Sequence, residues 1–220
     1  MTPLSQIILQ QYRSRKSKQE KAAFLSFLCH EFSCQPTIGN NIMIGNMDTA
    51  KIILAARYDT TAKPSIFGSK DNTAGVIVLT ELLATLNAAP QSKTIFLFYQ
   101  KNMPYFNRSQ EKLLIDLNCA PTGNHIMVSA NKAARTQWGN LIKKAFLPTE
   151  QTSILFRNAE KNRLHPKHKD FCHTVAITTL KRKKLFGYYP QKIYSAKDTL
   201  FDRSNITLIC NGILHLLKHI

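Results

Sequence analysis

The run Lys93 to Gln100 (KTIFLFYQ) places apolar, β-favouring residues side by side rather than in alternation, so a strand here buries both of its faces. Such a strand belongs in the middle of a parallel sheet, and the rest of the chain supplies neighbours of the same character. Asn41 to Gly45 (NIMIG) and Lys51 to Arg57 (KIILAAR) are short apolar runs separated by Gly45-Asn46 and Asp48, which reads as a strand pair joined by a turn. Further strands are expected at Leu113 to Leu117, Ile126 to Ser129, Ser153 to Phe156 and Val175 to Leu180. Between them lie helical patterns. Lys18 to Phe32 sets Leu25, Leu28, Cys29 and Phe32 on one side with Phe24 at its margin, and Asp71 to Leu86 starts on helix-capping groups and stays apolar until Pro90. Lys132 to Phe146 and Asn205 to Lys218 complete the set.

Strands alternating with helices define an α/β fold, a mixed and mostly parallel sheet flanked by helices on both faces. In such sheets active sites gather at the carboxyl ends of the strands. With 220 residues, 44% of them hydrophobic, the chain is long enough for one substantial core, and a single domain over 1–220 is expected, with 1–17 as a loosely packed N-terminal segment. The opening MTPLSQIILQQYRSRKSK has no apolar core and cleavage site of a signal peptide, and no segment approaches the length of a membrane span. Five irregularly spaced cysteines (Cys29, Cys34, Cys119, Cys172, Cys210) then point to reduced thiols in a cytoplasmic setting, most of them packed as small hydrophobes.

The formal charge of +17 creates a field that attracts nucleic acid, anionic membranes or acidic protein without naming one of them. It is patchy, with Arg13, Arg15, Lys16, Lys18 and Lys21 near the start and Lys181 to Lys184 in the last third. Solvated surface and binding patch are equally good readings of such runs. Trp138, Phe186, Tyr188 and Tyr189 could stack on bases, but core packing is the commoner role and no nucleic-acid module accompanies them.

After the strand ILAA come Arg57-Tyr58-Asp59-Thr60, then Gly68 to Gly75 (GSKDNTAG) opening a helix. This stretch resembles the cocatalytic zinc aminopeptidase family that includes the glutaminyl cyclases, whose pattern is Ala-His-Tyr-Asp followed by Gly-Ala-Asp-Asp-Asn-Ala-Ser-Gly and a helix. The similarity continues in order: Thr94 to Met103 resembles the strand ending in the family's Glu-Glu pair, with Arg108-Ser109 where Gly-Ser follows. Ile115 to Cys119 resembles Asn-Leu-Asp-Met, His168 to Phe171 resembles Ser-Asp-His-x-x-Phe, and Ile193 to Leu200 resembles Ile-His-Thr-x-x-Asp-Thr.

The resemblance implies two zinc ions held by five side chains, and at those positions this chain carries Arg57, Asp71, Met103, Asn118 and Tyr194. Only Asp71 is retained. Zinc takes nitrogen, thiolate or carboxylate donors, so no metal is expected and zinc is kept as the alternative cofactor. The family's general base falls on Asn102, an amide that cannot take up a proton; loss of a base alone costs about 10²–10⁴ in rate. No catalytic residue is therefore expected, and Arg57, Asp59, Asp71, Asn72, Asn102, Met103, Asn118 and Tyr194 form a vestigial site. Asp59, Asn72, Gly75, Ser109, Asp198 and Thr199, neighbours of the lost ligands, are kept.

A bridging carboxylate without its metals is a costly buried charge, and a guanidinium can neutralise it through two donors. Arg57 is expected to pair with Asp71 or with Asp59. The stretch between Ser109 and Ile115 is shorter than in the family, and a register slip of two would make Asp116 a ligand. His165, His168, Cys172 and His173 (HPKHKDFCH) are the densest group of other donors, but their spacing matches no strong zinc pattern and Lys167 and Lys169 repel a cation.

Three classes of function follow: a catalytically inactive peptidase-like binding or regulatory module for a peptide or acidic protein, a residual metallo-aminopeptidase with unusual ligands, and a basic nucleic-acid-associated protein.

Overall fold

The computed structural model describes every residue except 1, 12–14, 16, 35, 38–39, 60–71, 87–92, 101–102, 104–110, 119–122, 124, 151, 163–167, 169, 184–186 and 190–202; for 36–37, 181–183 and 187–189 it describes the backbone alone. The elements run α1 (Pro3–Gln11), α2 (Lys18–Glu31), β1 (Pro36–Thr37), β2 (Asn41–Ile44), β3 (Ile52–Arg57), α3 (Thr73–Leu86), β4 (Thr94–Tyr99), β5 (Leu113–Leu117), β6 (His125–Ala130), α4 (Lys132–Ala145), β7 (Ser153–Asn158), β8 (His173–Lys183), β9 (Gly187–Tyr189) and α5 (Arg203–Lys218).

One mixed sheet runs β1-β2-β4-β3-β5-β8-β6-β7, with β9 paired to β8. Its centre, β4-β3-β5-β8, is parallel. β2 and β6 attach antiparallel on either side of that centre. The sequence pattern of β4 translates directly: all six of its residues are buried. The expected pairing of Asn41–Gly45 with Lys51–Arg57 is corrected. β2 pairs with β4, and β4 lies between β2 and β3. The reason is burial, since β3 is apolar throughout and needs a neighbour on each edge, whereas β2 ends half-exposed at Met43 and Ile44. Gly45 (φ 120°) makes the exit from β2, and a Cβ there would meet the Thr94 carbonyl at 2.5 Å.

The five described helices all lend side chains to one core cluster, built against Leu54, Ala56, Phe96, Phe98, Ile115, Leu117, Val128 and Ile177 of one sheet face. α3 explains itself from sequence: TAGVIVLTELL is apolar all round, and ten of its residues are buried. The opposite face carries a smaller cluster of Ile53, Ala55, Ile95, Leu97, Tyr99, Leu114 and Phe171, to which no helix contributes among the described residues. The expected α/β fold, a mixed and mostly parallel sheet flanked by helices, is what the chain forms, and the described helices pack on the face of the larger cluster.

Local signals account for the helix starts. Ser17 and Glu20 form a reciprocal capping box on α2, with Glu20 N–H donating to Ser17 Oγ at 3.1 Å and Ser17 N–H to Glu20 Oε2 at 2.7 Å. Phe24, placed at the margin of the helix face from sequence, is fully buried, alongside buried Leu25 and Leu28. The segment expected to pack loosely contains α1, led by Pro3 and burying Ile8, and tied to α3 by the Thr2 N–H donating to Glu81 at 2.6 Å.

Four described cysteines are free thiols. Cys29, Cys34 and Cys210 are half-buried against the main core, in line with the reading of most cysteines as small packed hydrophobes, and Cys172 is exposed. Burial, with the Cys29 thiol beside it, pushes the Cys34 thiol up to about 11. Trp138 is half-buried against the main core with its indole N–H enclosed, which supports packing over base stacking. No helix among the described residues is long and apolar enough to cross a membrane.

Candidate functional site

The carboxyl ends of β3, β4 and β5 converge with the N-terminus of α3. Gly75 makes the convergence possible, because a Cβ there would lie 2.2 Å from the Leu117 carbonyl. Asn72, at the helix start, donates its side-chain N–H to the same carbonyl at 2.6 Å. This amide clamps α3 to the end of β5.

Arg57 ends β3 and turns back on Asp59, gripping it through Nε and through Nη2, the latter 3.0 Å from Oδ2. Asp59 is 3% exposed. The Asp59 hydrogen bond raises the Arg57 pKa against the opposing effect of burial, with smaller contributions from Asp59, Tyr99 and Asp116 charges. Lys21 of α2 adds a second cation, its Nζ 4.0 Å from Asp59 Oδ2.

Arg15, counted from sequence among the basic surface run, is instead fully buried. Its Nε donates to the Tyr58 carbonyl, its Nη2 to Thr73 Oγ1 at 2.9 Å, and its guanidinium lies 5.0 Å over the Phe24 ring. Tyr58 is buried beside it, donating its hydroxyl to the Asn40 carbonyl at 2.7 Å. Burial first, and then Asp59, hold the Tyr58 phenol above its ordinary range. The correction has a physical cause: Phe24 of α2, the Tyr58 carbonyl and the Thr73 hydroxyl offer Arg15 an aromatic face and buried acceptors, which a solvated run does not.

On the opposite sheet face Asp116 of β5, 1% exposed, receives the Tyr99 hydroxyl at 3.2 Å and lies 2.8 Å from His168 Nε2. Burial, then the neighbouring Asp116, keep the Tyr99 phenol protonated and therefore a donor. The His168 ring stands edge-on to Tyr99 and to Phe171.

Of the vestigial set, Arg57, Asp59 and Asn72 come together at the strand ends. Asn118 donates its backbone N–H to Ile177 at 3.0 Å and is half-buried; Met103 packs on the smaller apolar cluster. Asp71, Asn102 and Tyr194 lie outside the described residues. Of the HPKHKDFCH segment, His165 also lies outside them, His168 faces Asp116, Cys172 is exposed and His173 begins β8. No group of three or more His, Cys, Asp or Glu side chains able to hold a metal occurs among the described residues.

Arg15 and Tyr99 were not singled out from sequence. A lone arginine in a basic run carries no mark of burial. Tyr99, at the end of an all-apolar strand, carries one: a phenol there must find a buried partner.

The fold defined by this sheet and helix order is peptidase-like. LapB from Legionella pneumophila has the same fold over 98% of this chain and 69% of its own, with 13% identity and a TM-score of 0.59. The LapA aminopeptidase of the same organism is similar over 97% of this chain and 69% of its own, with 11% identity and a TM-score of 0.58. Nicastrin, the gamma-secretase component, is similar over 87% of this chain at 12% identity, TM-score 0.54. This chain spans 45% of the nicastrin chain and 43% of a matching Clostridium acetobutylicum structure. No family model and no curated protein sequence matches it.

Proposed function

We propose that this chain is a peptidase-fold binding or regulatory module that does not hydrolyse peptides. The observation that carries the reading is Arg57, which stands where the resembled family has its first histidine ligand and is committed to Asp59 through two nitrogens. Hydrolysis by that family needs a metal that polarises the carbonyl and acidifies its water. A guanidinium repels such a cation, and a thioether at Met103 and an amide at Asn118 are poor replacements for carboxylate donors. The described donor set does not fit a zinc pair. What the cleft does offer is cationic, buried and hydrogen-bonding chemistry suited to gripping a peptide or an acidic partner.

A panel of aminoacyl-p-nitroanilides, assayed with and without added zinc, tests the reading. No release above the uncatalysed background supports it; turnover that a chelator abolishes contradicts it.

One observation favours the second reading, a residual metallo-aminopeptidase. Asp116 and His168, at 2.8 Å, are both of types that zinc accepts. Two donors fall short of the three that a catalytic zinc takes from its protein.

A further inference from the structure

Beside the strand-end cleft, between α2 and the ends of β3 and β4, lies a cavity of about 600 Å³ lined by Lys18, Lys21, Leu25, Cys29, Tyr58 and Gln100. That volume is within the range of small-ligand sites. We infer that this cavity binds an organic carboxylate with a compact apolar body, the chemistry shared by the C-terminal residue of a peptide and a short free carboxylic acid.

Charge gives the sign of the ligand. Two lysines and no carboxylate line the cavity among the described residues. Lys21 approaches Asp59, but Arg57 already grips that carboxylate through two nitrogens, so one anion faces two cations. Both lysines also sit at the N-terminal end of α2, the positive end of the helix dipole, where Glu20 is the one acidic residue of the first turn. Cations there are on the wrong end of the helix, and an anion in the cavity relieves both repulsions.

Lining chemistry gives the rest of the ligand. Ala22, Leu25 and Tyr58 contribute an apolar side to the lining, and Gln100 adds an amide able to hydrogen-bond. Inorganic phosphate would satisfy the lysines and leave that side bare. The cavity lies beside the strand-end cleft, and the inference stands whether or not the cleft is hydrolytically inert.

Calorimetric titration of the full chain with N-acetyl-leucine, 4-methylpentanoate, N-acetyl-leucinamide and inorganic phosphate tests it, with amide chemical shifts reporting where each binds. The two acids are expected to bind, shifting Lys18 to Cys29, Tyr58 and Gln100, and the amide about tenfold more weakly, the scale of one charge-assisted hydrogen bond. N-acetyl-leucine binding tighter than 4-methylpentanoate assigns a peptide terminus; the reverse assigns a free acid. K18Q and K21Q, checked for an unchanged fold, each weaken the acids by a similar factor. Equal affinity for acid and amide, phosphate binding as tightly as the acids, no binding at all, or binding indifferent to both lysines overturns the inference.

Discussion

Arg57 and Asp59 are two residues apart at the end of β3, and the guanidinium of one holds both oxygens of the other while Lys21 stands 4.0 Å away. Removing Arg57 takes from a 3% exposed carboxylate the partner that holds both of its oxygens, leaving Lys21 as a longer-range cation beside it. Arg57→Ala is expected to destabilise the fold by about 2 kcal/mol, less than the loss of a partner from a fully buried pair because Arg57 is itself a third exposed. Urea unfolding of Arg57→Ala, Asp59→Asn and the double variant measures the coupling. The double variant should recover most of the loss, and additive losses would dissolve the pair as an energetic unit.

Arg15 is fully buried between the Tyr58 carbonyl, Thr73 and the face of Phe24. Arg15→Ala removes donors that satisfy buried acceptors and is expected to cost about 3 kcal/mol. Arg15→Lys should restore less than half, since an ammonium cannot reproduce the planar fork. Denaturant midpoints compare the three proteins; a neutral Arg15→Ala would return this residue to the solvated run.

Two helix glycines predict opposite signs for the same substitution. At Gly75 a methyl group meets the Leu117 carbonyl at 2.2 Å, and Gly75→Ala should destabilise by about 3 kcal/mol or more by parting α3 from β5. At Gly139, inside α4, the nearest atom is the Arg135 Cβ at 3.9 Å, and Gly139→Ala should stabilise by about 1 kcal/mol. Thermal unfolding reads both.

Glu160 accepts hydrogen bonds from the Lys132 backbone at 2.6 Å and from Arg135 at 2.8 Å, tying the turn after β7 to the start of α4. The Arg135 hydrogen bond is the main cause that lowers its pKa to about 2. A depressed folded-state value means that its contribution is complete above the unfolded value of 4.5 and is lost as pH falls towards 2. Glu160→Gln should flatten stability against pH across that window and change little of the slope above it. An unchanged slope between pH 4.5 and 2 would deny the linkage.

Elements whose pattern is local were legible from the residues. β4 has no alternation and is central; α3 is apolar all round and is the most buried helix. Pairing between strands was less legible. β2 and β3 look like a hairpin because a short glycine-containing turn separates them, yet β3 takes its partners from Thr94–Tyr99 and Leu113–Asp116, far along the chain. The α2 capping box was there to be read in Ser17-Lys18-Gln19-Glu20. At the site, the pairing of Arg57 with Asp59 was one of two expected partners, and it follows from charge complementarity at a strand end. The burial of Arg15 and the meeting of Asp116 with His168, 52 residues apart, depend on how distant segments pack, which one-dimensional spacing does not encode.

The metal content of the protein, purified without chelator and then dialysed against zinc, tests the proposed loss of metal binding in the cleft most directly. A cleft in which Arg57, standing where the resembled family has its first ligand, is bound to Asp59 should retain far less than one zinc per chain. Retention of about two zinc ions per chain, lost on adding a chelator, would contradict it.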